Sequence, residues 1–312
     1  MSKPLIYVDQ NVLGLQLAGA VNLARLTDVQ WVYSTEHFAE IRRSTSPEKY
    51  LQALKDINAK RLELKLEHWK ITGEARLIDA ISPHDHYAGY LEALGDVDCD
   101  ERLFDPLLVW INGGGDQDLL RSVPQRFSAQ LQALNAQLPE EFRRDPPEVA
   151  GFPFAEMLHQ MVIQGNDILK TRAALGGGNG RFGSIVGKNQ LQQIWEIVRP
   201  ACTNVTSDQF FGFEPPSKLD NNSLPLFLGI GCCCAILDII GFQAEKKTRD
   251  IEKLPNVRSD AGHVGMGAYC TALLTADRRL AKRAKAIYEY KNIGTVALIM
   301  EVADSRSTQA DG

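Results

Sequence analysis

The sequence contains no C-x-x-C pair, no excess of positive charge and no internal repeat. Of the six cysteines, Cys232, Cys233 and Cys234 are adjacent within an apolar segment. This arrangement argues against a zinc site or a disulfide framework and favours reduced, buried thiols. The net charge of −5 gives no overall attraction for nucleic acid, so any such attraction must be local.

No segment predicts a leader peptide or a membrane span. The first apolar run, residues 5 to 8, is too short for a leader and lacks a cleavage-site pattern. Residues 224 to 242 are apolar over nearly the length of a span, but Pro225 stands at the start and Asp238 near the end. Because such a helix is more often the centre of a large helical core, we expect a cytoplasmic protein without membrane contact.

Two short apolar runs each end in an aspartate. Residues 5 to 8 are followed by Asp9, and Leu273-Leu274 is followed by Thr275-Ala276-Asp277. Between them, residues 12 to 26 have helical spacing, residues 31 to 33 form a second strand, and Ser34 or Thr35 caps a second helix. This βαβα order predicts an α/β fold with a parallel sheet flanked by helices. If the two strands are neighbours, both aspartates lie at one edge of that sheet.

Four acids in this order resemble a known family. A first strand ending in Asp9, a following helix with glutamate, Asp260 opening a helix rich in small residues, and a strand reading LLTAD up to Asp277 are similar to the PIN-domain nucleases. The resemblance covers the two chain ends and not residues 47 to 250. It implies a Rossmann-like sheet, RNA as the substrate, and Mg²⁺ or Mn²⁺ held by catalytic carboxylates.

The resemblance leaves two candidates for the second acid. Glu36 and Glu40 lie four residues apart and share a helix face. Glu36 is in the first turn, where the helix dipole alone would account for a carboxylate. Glu40 matches the position of the family's second acid. The implied catalytic and metal-binding residues are therefore Asp9, Glu40, Asp260 and Asp277, with Glu36 as the alternative to Glu40.

Physical chemistry is compatible with this assignment. Carboxylates that converge without basic partners repel one another and raise each other's pKa unless a cation binds. Mg²⁺ and similar hard cations prefer oxygen ligands and lower the pKa of a bound water. The alternative is that all four acids are ordinary helix caps and turn residues, which need no metal.

Three further side chains are candidates for supporting roles. Asn11 either orients a metal-bound water or caps the first helix. Thr275 either forms a hydrogen bond with Asp277 or with a ligand, or is an ordinary β-branched strand residue. His263 shares a helix face with Asp260, so it either approaches a metal or phosphate or is a histidine on the helix surface.

A local positive charge follows Asp277 directly. Five cations within eight residues could bind an RNA backbone beside the acids, although a solvated helix face would look the same. The predicted nucleic-acid-binding residues are these five and two beside Glu40, namely Arg278, Arg279, Lys282, Arg283, Lys285, Arg42 and Arg43.

The middle of the chain predicts a large, mostly helical insertion. Residues 47 to 95 are charge-rich with a helical pattern, and residues 176 to 189 form a glycine-dense loop that fails the P-loop template. We therefore predict a discontinuous PIN-like core, residues 1–46 plus 251–304, interrupted by an insertion at residues 47–250.

The sequence thus predicts a metal-dependent endoribonuclease. A toxin or phage-defence role fits such a chain, and an inhibitory protein or RNA would then be a further partner. One alternative is a non-catalytic PIN-like scaffold that binds RNA or protein. Another is a phosphatase similar to the haloacid dehalogenases, but that family needs a second aspartate where this chain has Asn11.

Overall fold

A six-stranded sheet organises the computed structural model, which describes residues 3–67, 70–95, 102–137, 140–143, 153–215 and 224–301. The strand order is β4-β3-β2-β1-β5-β6. All neighbouring pairs are parallel except the hairpin of β3 and β4. The strands are β1 (Leu5–Val8), β2 (Gln30–Tyr33), β3 (Lys60–Glu67), β4 (Lys70–Ile78), β5 (Ala272–Thr275) and β6 (Val296–Ile299). The predicted α/β class is confirmed.

Helices cover both faces of the sheet. Those before the chain returns to the sheet at β5 are α1 (Gln10–Leu17), α2 (Thr35–Arg43), α3 (Pro47–Asp56), α4 (Pro83–Gly95), α5 (Asp105–Ile111), α6 (Gln117–Gln137), α7 (Pro153–Gln164), α8 (Ile168–Ala174), α9 (Gln190–Val198), α10 (Ser207–Phe210), α11 (Leu226–Ile240) and α12 (Leu254–Gly267). The helix α13 (Arg278–Tyr290) joins β5 to β6.

The side chains of each strand alternate between the two faces of the sheet, so a separate hydrophobic core forms on each face. Tyr7 and Leu273 face a core shared with α9, α11, α12 and α13, whereas Val8 and Leu274 face a core shared with α1, α2 and α3. Successive side chains of a strand point to opposite faces, so apolar residues at every position suit a parallel sheet covered on both sides. The short β5 is accordingly buried throughout, and β1 is buried at Tyr7 and Val8.

The chain reverses its direction across the sheet between β1 and β5. From β1 it proceeds through β2 to β3 on one side, and it later returns to place β5 and β6 on the other side. Val8 pairs with Leu274, so the two strands end at the same level. Ligands of open α/β sheets bind outside the carboxyl ends of the strands at such a reversal.

Residues Lys60–Glu67 and Lys70–Ile78 form two strands, so the prediction of helical structure across residues 47 to 95 is wrong there. Leu62, Leu64 and Leu66 alternate with charged residues, which is the period of a strand. The resulting hairpin extends the sheet beyond β2 through the pairing of Val32 with Lys60. Strands of the sheet therefore come from the predicted insertion range as well as from the two chain ends.

Three other predicted elements differ from the structure. The first helix ends at Leu17 rather than Leu26, because Gly19 has a φ of 72° and the chain turns there. Asp260 does not open its helix but lies in the middle of α12. The apolar residues predicted to form a buried helix form α11, which is buried on one face, whereas Leu228 and Cys232 are exposed, contrary to the prediction of buried thiols. No helix of the described chain is long and apolar enough to cross a membrane.

Candidate functional site

A hydrogen-bond network joins the ends of β1 and β5. The hydroxyl of Thr275 donates to Oδ2 of Asp9 at 2.6 Å and accepts from the backbone N–H of Asp277 at 3.0 Å. Asn11 donates to the same hydroxyl at 3.2 Å and accepts from the N–H of Ala276 at 2.8 Å. Asn11 and Thr275 therefore fix the position of the Asp9 carboxylate, which is only 2% exposed.

Replacing Thr275 with valine should lower the free energy of unfolding by about 1–3 kcal/mol, since it leaves buried polar groups without their partner. The shape of the side chain is retained, so the loss reports the hydroxyl alone. Urea unfolding measures the change, and Thr27→Val, at an exposed position, is the matched control with an expected effect within about 0.5 kcal/mol. Equal effects of the two substitutions would contradict this role of Thr275.

Helices α2 and α12 bring further acids to this edge. Nε2 of His263, on α12, lies 3.7 Å from Oδ1 of Asp9 and 3.6 Å from Oε2 of Glu40. These distances exceed hydrogen-bond length, so the contacts are electrostatic. Glu36 packs against the same helix, because a Cβ added at Gly262 would lie 2.3 Å from its carboxylate oxygen. Both candidates for the second acid thus face α12, and Glu40 is the one paired with His263.

His263 is not on the helix surface, which corrects one of the two interpretations above. It is fully buried, and its Nδ1 lies 2.8 Å from the hydroxyl of Tyr7. That hydroxyl also contacts Oγ of Ser34 at 2.7 Å. His37 completes the network, since its Nδ1 accepts from the N–H of Ser34 and its Nε2 donates to the carbonyl of Val8. The imidazole of His263 is thereby held with Nε2 directed toward the acids.

The acids and His263 perturb one another's protonation. Burial lowers the pKa of His263, but Glu40 and Asp9 outweigh that effect and raise it to about 9. Burial raises the pKa of Glu40, and the attraction of His263 brings it below its ordinary value. The pKa values of Asp9 and Glu36 are raised, mainly by burial. His263 is thus a cation that offsets part of the negative charge.

Asp260 has a strongly raised pKa. Burial and the charge of Asp9 raise it to about 8, and Glu40 adds to the shift. Four carboxyl groups, those of Asp9, Glu36, Glu40 and Asp260, therefore lie near a single buried imidazolium, and at neutral pH that of Asp260 keeps its proton. A further cation that entered this site would favour the ionised carboxylates and displace that proton.

The donor chemistry of this cluster suits a hard divalent cation, whose preferred ligands are carboxylate oxygens. Two observations define the fit. The buried Nε2 of His263 has no hydrogen-bond partner, and because this imidazole is protonated, a metal ion that entered the cluster would have to displace its proton. Within the described ranges, moreover, no three His, Cys, Asp or Glu side chains are already grouped to hold a metal ion. The carboxylates would have to draw closer together around the ion.

Asp277 lies at the outer margin of the cluster. Its Oδ1 caps α13 by accepting from the N–H groups of Arg279 and Leu280 at 2.6 and 3.1 Å. Asp277 is coupled to Glu245, whose pKa is raised by burial and, to a smaller extent, by Asp277. Glu245 is 5% exposed and pairs with Arg279 at 3.0 Å. Sequence reasoning missed Glu245, because it lies in a loop after α11 with no motif around it.

One of the predicted nucleic-acid-binding residues of α13 is buried in the structure. Arg283 is 4% exposed and pairs with Asp238 at 2.9 Å and with the carbonyl of Cys234 at 2.6 Å. It stabilises the core and is not available to a ligand. Arg279 is partly engaged by Glu245. The exposed cations of α13 are spaced so that they share one helix face, and they are Arg278, Lys282 and Lys285.

No protein-family model, curated protein or solved structure matches this chain.

Proposed function

We propose that this protein is a divalent-metal-dependent endoribonuclease with a PIN-like core. The observation that carries the proposal is the group of buried carboxyl groups with perturbed pKa values where the chain reverses across the sheet. Asp9, Glu40 and Asp260 come from the end of β1, from α2 and from α12, and Glu40 raises the pKa of Asp9 while both Asp9 and Glu40 raise that of Asp260. Acids that only capped helices would not need to share one buried space.

The four predicted acids have distinct parts in this proposal. Asp9 provides the most buried carboxylate, Asp260 and Glu40 face it from α12 and α2, and Asp277 lies at the margin, where the substrate would approach. Together they would hold Mg²⁺ or Mn²⁺. Such an ion supplies a water of lowered pKa and neutralises charge that develops on a phosphate during hydrolysis. Thr275 and Asn11 keep the Asp9 carboxylate in one orientation.

RNA as the substrate is supported by the resemblance to the PIN-domain nucleases and by local positive charge. Arg278, Lys282 and Lys285 form an exposed face next to Asp277, and Arg42 and Arg43 are exposed on α2 beside Glu40. Cations that flank an acidic site can position the phosphate backbone so that a phosphodiester lies at the acids.

Cleavage of a labelled single-stranded RNA by the purified protein tests the proposal. We expect cutting with Mn²⁺ or Mg²⁺ and none with EDTA, because the carboxylates alone do not activate water. A single-stranded DNA of the same sequence, offered in parallel, tests the preference for RNA. Absence of cutting with either metal, in a protein that is folded by circular dichroism, would contradict the proposal.

One observation favours the non-catalytic scaffold as a second candidate. His263 already provides a buried cation between Asp9 and Glu40, so part of the acidic charge is compensated within the protein. A scaffold would retain RNA in a filter-binding assay with EDTA, would not cut it, and would gain no thermal stability from Mn²⁺. Stabilisation by Mn²⁺ that requires Asp9 would exclude the scaffold.

A further inference from the structure

Two cavities adjoin the acidic cluster on the side of α5 and α12. One has a volume of about 340 Å³ and is lined largely by arginines, and the other has a volume of about 350 Å³ and is mainly apolar. Glu36 and Arg258 line both. Each volume lies at the lower end of the range for small-molecule sites, which begins at about 300 Å³. The two cavities therefore adjoin each other, separated by Glu36 and Arg258, beside the proposed catalytic acids.

The arginine cavity is prepared for an anion. Its guanidinium groups come from α2, α12 and the segment before α5, and they belong to Arg42, Arg43, Arg102 and Arg258. Asp105, which is fully buried, accepts from Arg102 at 3.1 Å and from Arg258 at 2.5 Å. Arg43 donates to Ser259 at 3.0 Å. Arg102 also pairs with Glu252 at 3.3 Å, and Glu36 lines the same cavity. Because these contacts hold Arg43, Arg102 and Arg258 in place, little side-chain entropy is lost when they bind a phosphate.

The apolar cavity has the lining expected for a planar ring. Phe227 and Ala235 of α11, Leu108 of α5, and Leu254 and Val257 of α12 form its walls. One polar atom in this wall is unused. Asn112 is 7% exposed and donates through Nδ2 to the carbonyl of Leu108 at 2.8 Å, while its buried Oδ1 has no hydrogen-bond partner. A buried acceptor left without a donor is costly, and a rotation of this amide toward the cavity would let an N–H of a nucleobase satisfy it.

We propose that the two cavities form a nucleotide subsite, in which the arginines bind a phosphate and the apolar cavity holds the attached base. The sugar would pass the shared wall of Glu36 and Arg258, and Oδ1 of Asn112 would accept from the base edge. The inference rests on the proposed nuclease function, because it assigns this subsite to a nucleotide of the RNA strand next to the one that is cut. The base bound here would set the sequence preference of cleavage.

Calorimetric titration in EDTA tests the subsite separately from catalysis. The probes are the four ribonucleoside 5′-monophosphates, the four 3′-monophosphates, the free nucleosides and inorganic phosphate. We expect at least one monophosphate to bind about tenfold or more tighter than its own nucleoside and than inorganic phosphate, since only the nucleotide occupies both parts. If no monophosphate binds more tightly than both its own nucleoside and inorganic phosphate, the subsite is excluded.

Two substitutions separate the two parts. Arg43→Gln should weaken nucleotide binding about tenfold, because a hydrogen bond to a charged group is lost, and should leave nucleoside binding unchanged. Gly231 lines the apolar cavity, and a Cβ added there meets nothing within 4 Å. Gly231→Leu should therefore fill the cavity, abolish nucleoside binding and weaken nucleotide binding, while inorganic phosphate still binds.

Matched controls exist for both substitutions. Arg199 is an exposed arginine in a different part of the chain, and Gly89 is a helical glycine whose added Cβ also meets nothing within 4 Å. Arg199→Gln and Gly89→Leu should leave all affinities unchanged. Nucleotide binding that is insensitive to both Arg43→Gln and Gly231→Leu would place the ligand elsewhere and overturn the inference.

The same data distinguish failure of the subsite from failure of the proposed function. Nucleotide binding that depends on Arg43 and Gly231, in a protein that cuts no RNA, would support the subsite and exclude the nuclease. Metal-dependent cutting without nucleotide binding would support the nuclease and exclude the subsite.

Discussion

Replacing Asp9 with asparagine is expected to lower metal-dependent RNA cleavage by about 10²–10³-fold, the range found when one preorganised electrostatic group is removed from an active site. The amide is nearly isosteric and can still accept the hydrogen bond that Thr275 donates to Oδ2. It lacks the negative charge that would attract the ion. Single-turnover cleavage of labelled RNA at saturating Mn²⁺ measures the loss, and circular dichroism checks the fold.

The control for this prediction is an aspartate at the opposite edge of the sheet. Asp28 is exposed and precedes β2, so Asp28→Asn should leave cleavage unchanged. Asp277→Asn should also abolish cutting if Asp277, at the outer margin of the cluster, takes part in catalysis. Retention of more than a tenth of the activity by Asp9→Asn would remove Asp9 from the site.

The strand ends at the centre of the sheet could be predicted from the sequence. Residues 5 to 8 and Leu273-Leu274 are apolar at every position, which suits parallel strands buried on both faces. Parallel neighbours end at one edge, so the proximity of Asp9, Thr275 and Asp277 follows from the pairing of β1 with β5. The contribution of α2 could also be predicted, because Ser34 caps the helix that carries Glu40.

The remaining parts of the site depend on tertiary packing, which no local sequence pattern predicts. His263 has the sequence signature of any histidine on a helix, and only the packing of α12 against β1 and α2 buries it beside Asp9 and Glu40. Arg283 has the same spacing as its exposed neighbours, and its burial follows from the carboxylate of Asp238 on α11. The hairpin of β3 and β4 had a local signal, the alternation of Leu62, Leu64 and Leu66, but helix-favouring lysines and glutamates around it obscured that period.

Asp260 provides a test that separates a functional acid from a structural one. Its pKa is about 8 in the folded protein and about 4 in the unfolded chain. Below pH 4 the carboxyl is protonated in both states and contributes nothing. As the pH rises from 4 to 8, only the unfolded chain releases the proton, so the folded state is progressively destabilised. The penalty is complete above pH 8.

Asp260→Asn should therefore stabilise the metal-free protein at pH 8 by about 2–4 kcal/mol, less than the pKa difference alone implies, because the replacing amide is also buried. The gain should vanish near pH 4, and urea unfolding at the two pH values measures it. The same variant should lose the thermal stabilisation that Mn²⁺ gives the wild type. Asp118→Asn, at an exposed position of α6, should change neither quantity.

If Asp260 were kept for the fold, Asp260→Asn would instead lower the free energy of unfolding at pH 8, since a structural contact is lost when the residue is replaced. A variant that is more stable without metal and insensitive to Mn²⁺ would instead show that the protein retains Asp260 at a cost in stability, as expected for a group that binds a cation.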